Sequence, residues 1–183
     1  MATDARSRKV VLVSHCLLNQ NAKVEGLARH PGMFEPLAEA LYAARVGLVQ
    51  MPCPEVAHYG LERPRGADTR EQYDTPEYWE TCRRIAAEVA DLAATYQRAG
   101  YAVACLLGVE GSPSCSVERV PVLGPDSHRA LQAGRGVLIE ALARELARAG
   151  IETPLIGIPE DEEAGSLREA LAEVAEAAAR AGG

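Results

Sequence analysis

The chain has 183 residues, 48% of them hydrophobic and 25% charged, with a net charge of −7 and a pI near 5.2. That length fits one domain with a proper core, and the composition excludes disorder of the whole chain. The acidic balance argues against a nucleic-acid duplex or an anionic membrane surface as partner, because either needs a basic face.

Met1 to Lys9 is polar, and no long apolar run follows it. Neither a signal peptide nor a membrane span is expected, and cytoplasmic residence is the default. In a reducing compartment the five cysteines are expected as buried thiols, metal ligands or nucleophiles rather than disulfides.

Lys9–His15 (KVVLVSH) reads as a buried parallel strand. Pro31 opens a helical stretch with Phe34, Leu37, Leu41 and Tyr42 on one side. Leu48–Met51 is a second short strand. A long polar loop from Pro52 to Asp74 has the length of a functional or mobile segment. Thr75-Pro76 caps and starts a helix striped by Ile85, Val89, Leu92 and Tyr96, and Gly100 ends it. Tyr101–Gly108 (YAVACLLG) is the third strand, and a loop then runs to about Gly134. A helix with Val137, Leu138, Leu142 and Leu146 inward stops at Gly150. Pro154–Ile158 is a short strand. Ser166 and Glu169 form a capping box for a last helix with Leu167, Leu171 and Val174 inward.

This alternation predicts an α/β fold, a Rossmann-like three-layer sandwich with a mainly parallel sheet of about four or five strands. Residues 1–183 are expected as a single domain, with 134–183 as its C-terminal helix-strand-helix extension. Functional loops in such sheets lie beyond the carboxyl ends of the strands.

Three cysteines fall at that edge. Cys16 follows the first strand, Cys53 the second, and Cys115 lies a short loop beyond the third. Cys105, inside a strand, and Cys82, on a helix, read as packing residues. The trio is either three unrelated small residues in loops or one converging site. No close pair of the CxxC kind exists, so a zinc-ribbon signal is absent; three thiolates would leave one metal position open, as catalytic metal sites do.

The words around these cysteines are VSHCLLNQNAKVEG at Val13–Gly26, CPEVAHYGLERPRG at Cys53–Gly66 and GSPSC at Gly111–Cys115. In that order they resemble the bacterial thiouracil desulfurase (TudS) family over roughly the first two-thirds of the chain. The resemblance implies a Rossmann-like fold and a 4Fe-4S cluster held by Cys16, Cys53 and Cys115, its fourth iron open to the substrate's sulfur. It maps the acid–base and polar groups to Glu55 and Ser112. The chain departs from the pattern at Asn19, where a glycine often follows CLL, and at Ala22, where another cysteine is common. It departs again at His15 before the first cysteine and at Ser116 after SPSC. These departures surround the substrate side and point to a subgroup with its own thiolated substrate.

Individual residues keep two readings each. Glu55 is a general base or a solvated loop carboxylate. Ser112 positions substrate or caps the turn before Pro113. Ser114 is a candidate donor to a cluster sulfur, which would count it among the cofactor-binding residues. His15, in an extended strand, would point opposite to Cys16 and is structural. Arg65 binds a polar substrate edge or pairs with Glu62. His58 and Tyr59 are candidate pocket walls.

The leading expectation is an enzyme that removes sulfur from a small thiolated compound without net oxidation, water adding with help from Glu55. A cluster- or metal-bearing module that binds sulfur without turnover is the alternative. A cysteine hydrolase with Cys16 or Cys53 as nucleophile ranks last, since none of the four histidines forms a partner motif.

Overall fold

The computed structural model describes residues 4–63, 65–66, 68–125 and 128–181. β1 (Lys9–Ser14) is buried from Val10 onward. Its β-branched and leucine side chains fill both faces, as a central parallel strand requires. β2 (Gly47–Met51) and β3 (Ala102–Val109) lie on either side of it, and β6 (Leu155–Ile158) pairs with β3. The order β2-β1-β3-β6 is parallel throughout. This four-stranded sheet falls within the range predicted from the alternation. Between β3 and β6 stands an antiparallel pair, β4 (Arg119–Leu123) and β5 (Arg129–Ala133).

Helices cover both faces and complete the Rossmann-like three-layer sandwich. α5 (Pro76–Arg98) packs against α6 (Val137–Arg148), while α2 (Glu35–Ala43) packs against α7 (Leu167–Arg180). Thr75 caps α5 by accepting the Tyr78 N–H at 3.3 Å, with Pro76 in the first turn. Ser166 accepts the Glu169 N–H at 3.4 Å at the start of α7. No helix among the described residues is long and apolar enough to cross a membrane.

Several local expectations are corrected. The first strand ends at Ser14, and His15 opens a helical turn, α1 (His15–Leu18), followed by a 3-10 turn at Gln20–Ala22. Strand alternation therefore does not turn His15 away from Cys16, because neither residue is extended. α2 begins at Glu35 rather than Pro31, with Pro36 in its first turn. Tyr42 is 88% exposed and Leu92 44% exposed, so neither belongs to an inward stripe. The segment expected as one loop from Pro52 holds α3 (Pro54–Tyr59) and α4 (Arg70–Tyr73). Pro54 at the first helical position explains α3, since its fixed φ suits a helix start and its missing N–H is no loss there. Pro64 of the second motif lies outside the described residues.

The turn carrying Cys115 is wedged between β3 and α6. Val109 N–H donates to the Cys115 carbonyl at 2.8 Å. At the start of α6, Val137 N–H donates to Pro113 at 3.1 Å and Leu138 N–H to Ser114 at 2.9 Å, so the turn satisfies donors the helix cannot. A Cβ on Gly108 would run into the Cys115 carbonyl, and one on Gly136 into the Ser114 backbone. Gly136→Ala is therefore expected to lower stability by about 1–3 kcal/mol through overpacking. Gly32→Ala, where an added Cβ meets nothing, should stay close to wild type. Urea denaturation of the two variants checks this, and equal midpoints would contradict the wedge.

Candidate functional site

The site follows from the strand order. β1 lies between β2 and β3, so the loops leaving these strands are neighbours at one edge. Cys16 sits in α1 directly after β1, Cys53 precedes α3 two residues after β2, and Cys115 lies in the turn after β3. All three line one cavity of about 270 Å³, together with Glu55 and Ser112. Cys82 and Cys105 are buried and do not line it. Among the described residues no three His, Cys, Asp or Glu side chains are grouped tightly enough to hold a single metal ion. The thiols stand around the cavity instead.

Burial dominates their chemistry. It pushes the Cys16 thiol up to about 12, with Lys23 acting against the rise. It also raises Cys53, opposed by the backbone N–H of Val56 in the first turn of α3. Cys115 is pushed well above the ordinary thiol value by burial and then by Cys16 and Cys53, with Ser14 acting against it. Without a cation among them the three thiols are neutral near pH 7, and neutral thiols are poor nucleophiles.

Glu55 reaches the cavity from the first turn of α3. Its Oε2 accepts from Arg63 Nη2 at 3.2 Å and Nε at 3.3 Å, and its Oε1 accepts from Ser114 Oγ at 2.8 Å. Ser114 Oγ is in turn 2.7 Å from Tyr78 Oη. A carboxylate only accepts, so the chain runs Tyr78 to Ser114 to Glu55. The Ser114 hydrogen is committed to Glu55, which removes the basis for reading Ser114 as a donor to a cluster sulfur. Ser112 Oγ accepts the N–H of Cys115 at 3.0 Å and of Ser114 at 3.3 Å. It therefore caps the turn and faces the cavity at once, so its two readings are compatible.

Other expected residues fall elsewhere. His58 Nδ1 lies 2.9 Å from Thr81 Oγ1, and its ring meets those of Tyr59 and Tyr78; neither His58 nor Tyr59 lines the cavity, whereas Tyr73 does. Arg65 lines the rim and pairs with Asp68 at 3.2 Å, not with Glu62.

Sequence reasoning missed the polar frame behind the site. Arg63 is buried and also donates to the Ala22 carbonyl at 2.9 Å. Glu110 accepts the N–H groups of Val117, Glu118 and Arg119, fixing the chain after the Cys115 turn. Ser14, just before Cys16, is buried, makes no capping bond to α1, and its Oγ has no hydrogen-bond partner among the described residues. Lys23 and Glu160 form a pair that also lines the cavity. Only the motif words around Arg63 and Lys23 marked these segments in advance.

The fold and site define an α/β protein with a thiol-lined cavity at the carboxyl edge of a parallel sheet. The 2-thiouracil desulfurase family matches residues 11–153, and the chain belongs to that family. An uncharacterised protein of Methanocaldococcus jannaschii, MJ0003, is 31% identical over 157 residues, covering 86% of this chain and 90% of the relative. The solved structure of the 4Fe-4S-dependent thiouracil desulfidase TudS is similar at 26% identity and a TM-score of 0.49, covering 80% of this chain and 90% of that one.

The raised thiols give a direct test. In metal-free native protein, Cys16 should react with iodoacetamide at pH 8 at least about tenfold more slowly than a free cysteine. Its thiolate fraction is cut steeply by a value near 12, and the higher nucleophilicity of the more basic thiolate offsets only part of that loss. Unfolding in urea should abolish the difference. Fast native labelling, followed by peptide mass spectrometry, would contradict the dry thiol site.

Proposed function

We propose that the protein is a desulfidase that converts the C=S group of a small thiolated compound to C=O, and that Cys16, Cys53 and Cys115 hold a 4Fe-4S cluster. The observation that carries this reading is the meeting of the three thiols and Glu55 in one cavity. Family membership supports it. The fit of a cluster is supported by the donor set, since soft thiolates suit iron–sulfur centres. The Ser14 hydroxyl, which already opposes the rise of the Cys115 thiol, fits as well, because Cys115 as a thiolate ligand would accept from it.

Bound there by Cys16, Cys53 and Cys115, a cluster would supply a Lewis acid for the thiocarbonyl sulfur. The remaining work belongs to the chain. Arg63 and Ser114 hold the Glu55 carboxylate in one orientation and leave it lone pairs toward the cavity. As the water oxygen bonds to carbon, Glu55 accepts a water proton. The C–S bond breaks with its electron pair going to sulfur, and the retained protons leave with it. The balance is C=S plus H₂O giving C=O plus H₂S, with no oxidation or reduction. Ser112, fixed by the Ser114 and Cys115 N–H groups, keeps its own hydrogen for a substrate atom. The buried walls limit bulk water, which strengthens each of these contacts.

Reconstitution with iron and sulfide, then Mössbauer spectroscopy and a sulfide-release assay on thiolated bases, amides and ureas, tests the proposal. Cys16→Ala, Cys53→Ala or Cys115→Ala should each fail to retain the cluster, while Cys82→Ala and Cys105→Ala retain it. Glu55→Gln should keep its iron and lose about a hundredfold to ten-thousandfold in turnover. Ser112→Ala should lose less. Full iron content in Cys115→Ala would end the ligand assignment. Loaded protein that binds sulfide yet releases none from any thiolated compound would leave the non-catalytic sulfur-binding module in place of the enzyme.

A further inference from the structure

Five cations line the cavity: Lys23, Arg29, Arg63, Arg65 and Arg129. Arg63 is occupied by Glu55 and by the carbonyls of Ala22 and Gly60. Arg29 pairs with Asp161, Arg65 with Asp68, and Arg129 donates to the Gly111 carbonyl; all three are exposed at the rim.

Lys23 differs. Its side chain is 13% exposed and that of its partner Glu160 only 8%. Lys23 Nζ donates to Glu160 Oε2 and to no other acceptor among the described residues. An ammonium has three N–H groups, so two remain. Glu160, two residues beyond β6, is itself fixed: its Oε1 accepts from Gln20 Nε2 at 2.6 Å. Gln20 is buried, holds the Cys16 carbonyl at 3.0 Å and accepts the Arg29 N–H at 2.9 Å. An anchored carboxylate thus aims a nearly buried ammonium at the cavity, beside Cys16 and with bonds unmade. A ligand acceptor in the cavity could therefore take a charge-assisted hydrogen bond from this ammonium.

We propose that Lys23 is a substrate-binding residue that donates to a carbonyl oxygen borne by the thiolated substrate, with Glu160 as its positioning residue. The thiouracil of the family's name carries such a carbonyl; the new element is its partner, Lys23, which would disfavour thiolated compounds without one. This rests on the proposed desulfidase reading of the cavity.

Two probes separate the claims: 2-thiouracil, which has a ring carbonyl, and pyrimidine-2-thione, which lacks it. Calorimetric binding to the iron-loaded protein is measured beside KM and kcat. The wild type should bind 2-thiouracil on the order of ten- to a hundredfold more tightly, the range for a hydrogen bond to a charged group. Lys23→Met should erase that preference by weakening 2-thiouracil alone, with the loss in KM rather than kcat and iron content unchanged. Glu160→Gln should show the same selective loss to a smaller extent. The double variant Lys23→Met/Glu160→Gln avoids leaving Glu160 buried without its cation and should match Lys23→Met. Equal binding of the probes by the wild type overturns the inference whatever the variants do, and so does a loss in Lys23→Met that affects both probes alike. Selective binding without sulfide release would instead overturn the desulfidase reading and leave Lys23 as the carbonyl anchor.

Discussion

Everything at the site depends on β1 being paired in parallel on both sides, with β2 and β3 as its neighbours. Parallel pairing sends the carboxyl ends of three strands to one edge, so residues separated by dozens of positions meet without a long loop reaching across. The same pairing requires helices on both faces, and the loops that return to them fold over the edge. Burial there is what raises the three thiols. A cavity that keeps thiols neutral until a cation arrives suits a metal site and handicaps a thiol nucleophile. The sheet topology thus bears on the chemistry through solvation as much as through position.

The cavity residues are held from behind by elements that do not line it. The Cys115 turn leans on the first turn of α6, so the C-terminal part of the chain shapes a site whose motifs all precede it. Tyr78 on α5 orients Ser114, and Ser114 orients Glu55. Ser114 therefore bonds to the carboxylate, although its place in the SPSC word suggested direct contact with a cofactor. A side chain one residue from a proposed ligand has two directions to point, and packing against α5 decides which.

The fold was legible because β-branched runs, helix stripes and punctuating glycines agreed with one another: Gly100 and Gly150 both take positive φ at helix ends. The convergence of Cys16, Cys53 and Cys115 was legible from strand placement and motif order. Less legible were α3, hidden in a stretch whose polarity reads as loop, and the β4–β5 pair, whose strands are half exposed and carry Pro121. Buried charges were invisible for a physical reason. Arg63, Lys23 and Glu160 are residue types that normally face water, and only a partner from a distant segment lets each be buried. Pairing across 137 residues between Lys23 and Glu160 leaves no local pattern.

Those charges form two pairs with opposite residual capacity. In the Glu55–Arg63 pair the arginine is occupied by the carboxylate and two carbonyls, so the unused valence is the lone pairs of Glu55. In the Lys23–Glu160 pair the carboxylate is held by Gln20 and Lys23, so the unused valence is two ammonium hydrogens. Each pair offsets the desolvation of its own charges, and each leaves one kind of hydrogen-bonding group for a ligand. The cavity thereby offers both an acceptor and a donor, with the thiols at the same edge. Polarising a C=S carbon toward water needs an acceptor for the incoming proton and a fixed donor to hold the rest of the molecule. Each charge at the site has its own partner, so two pairs rather than isolated charges line the cavity.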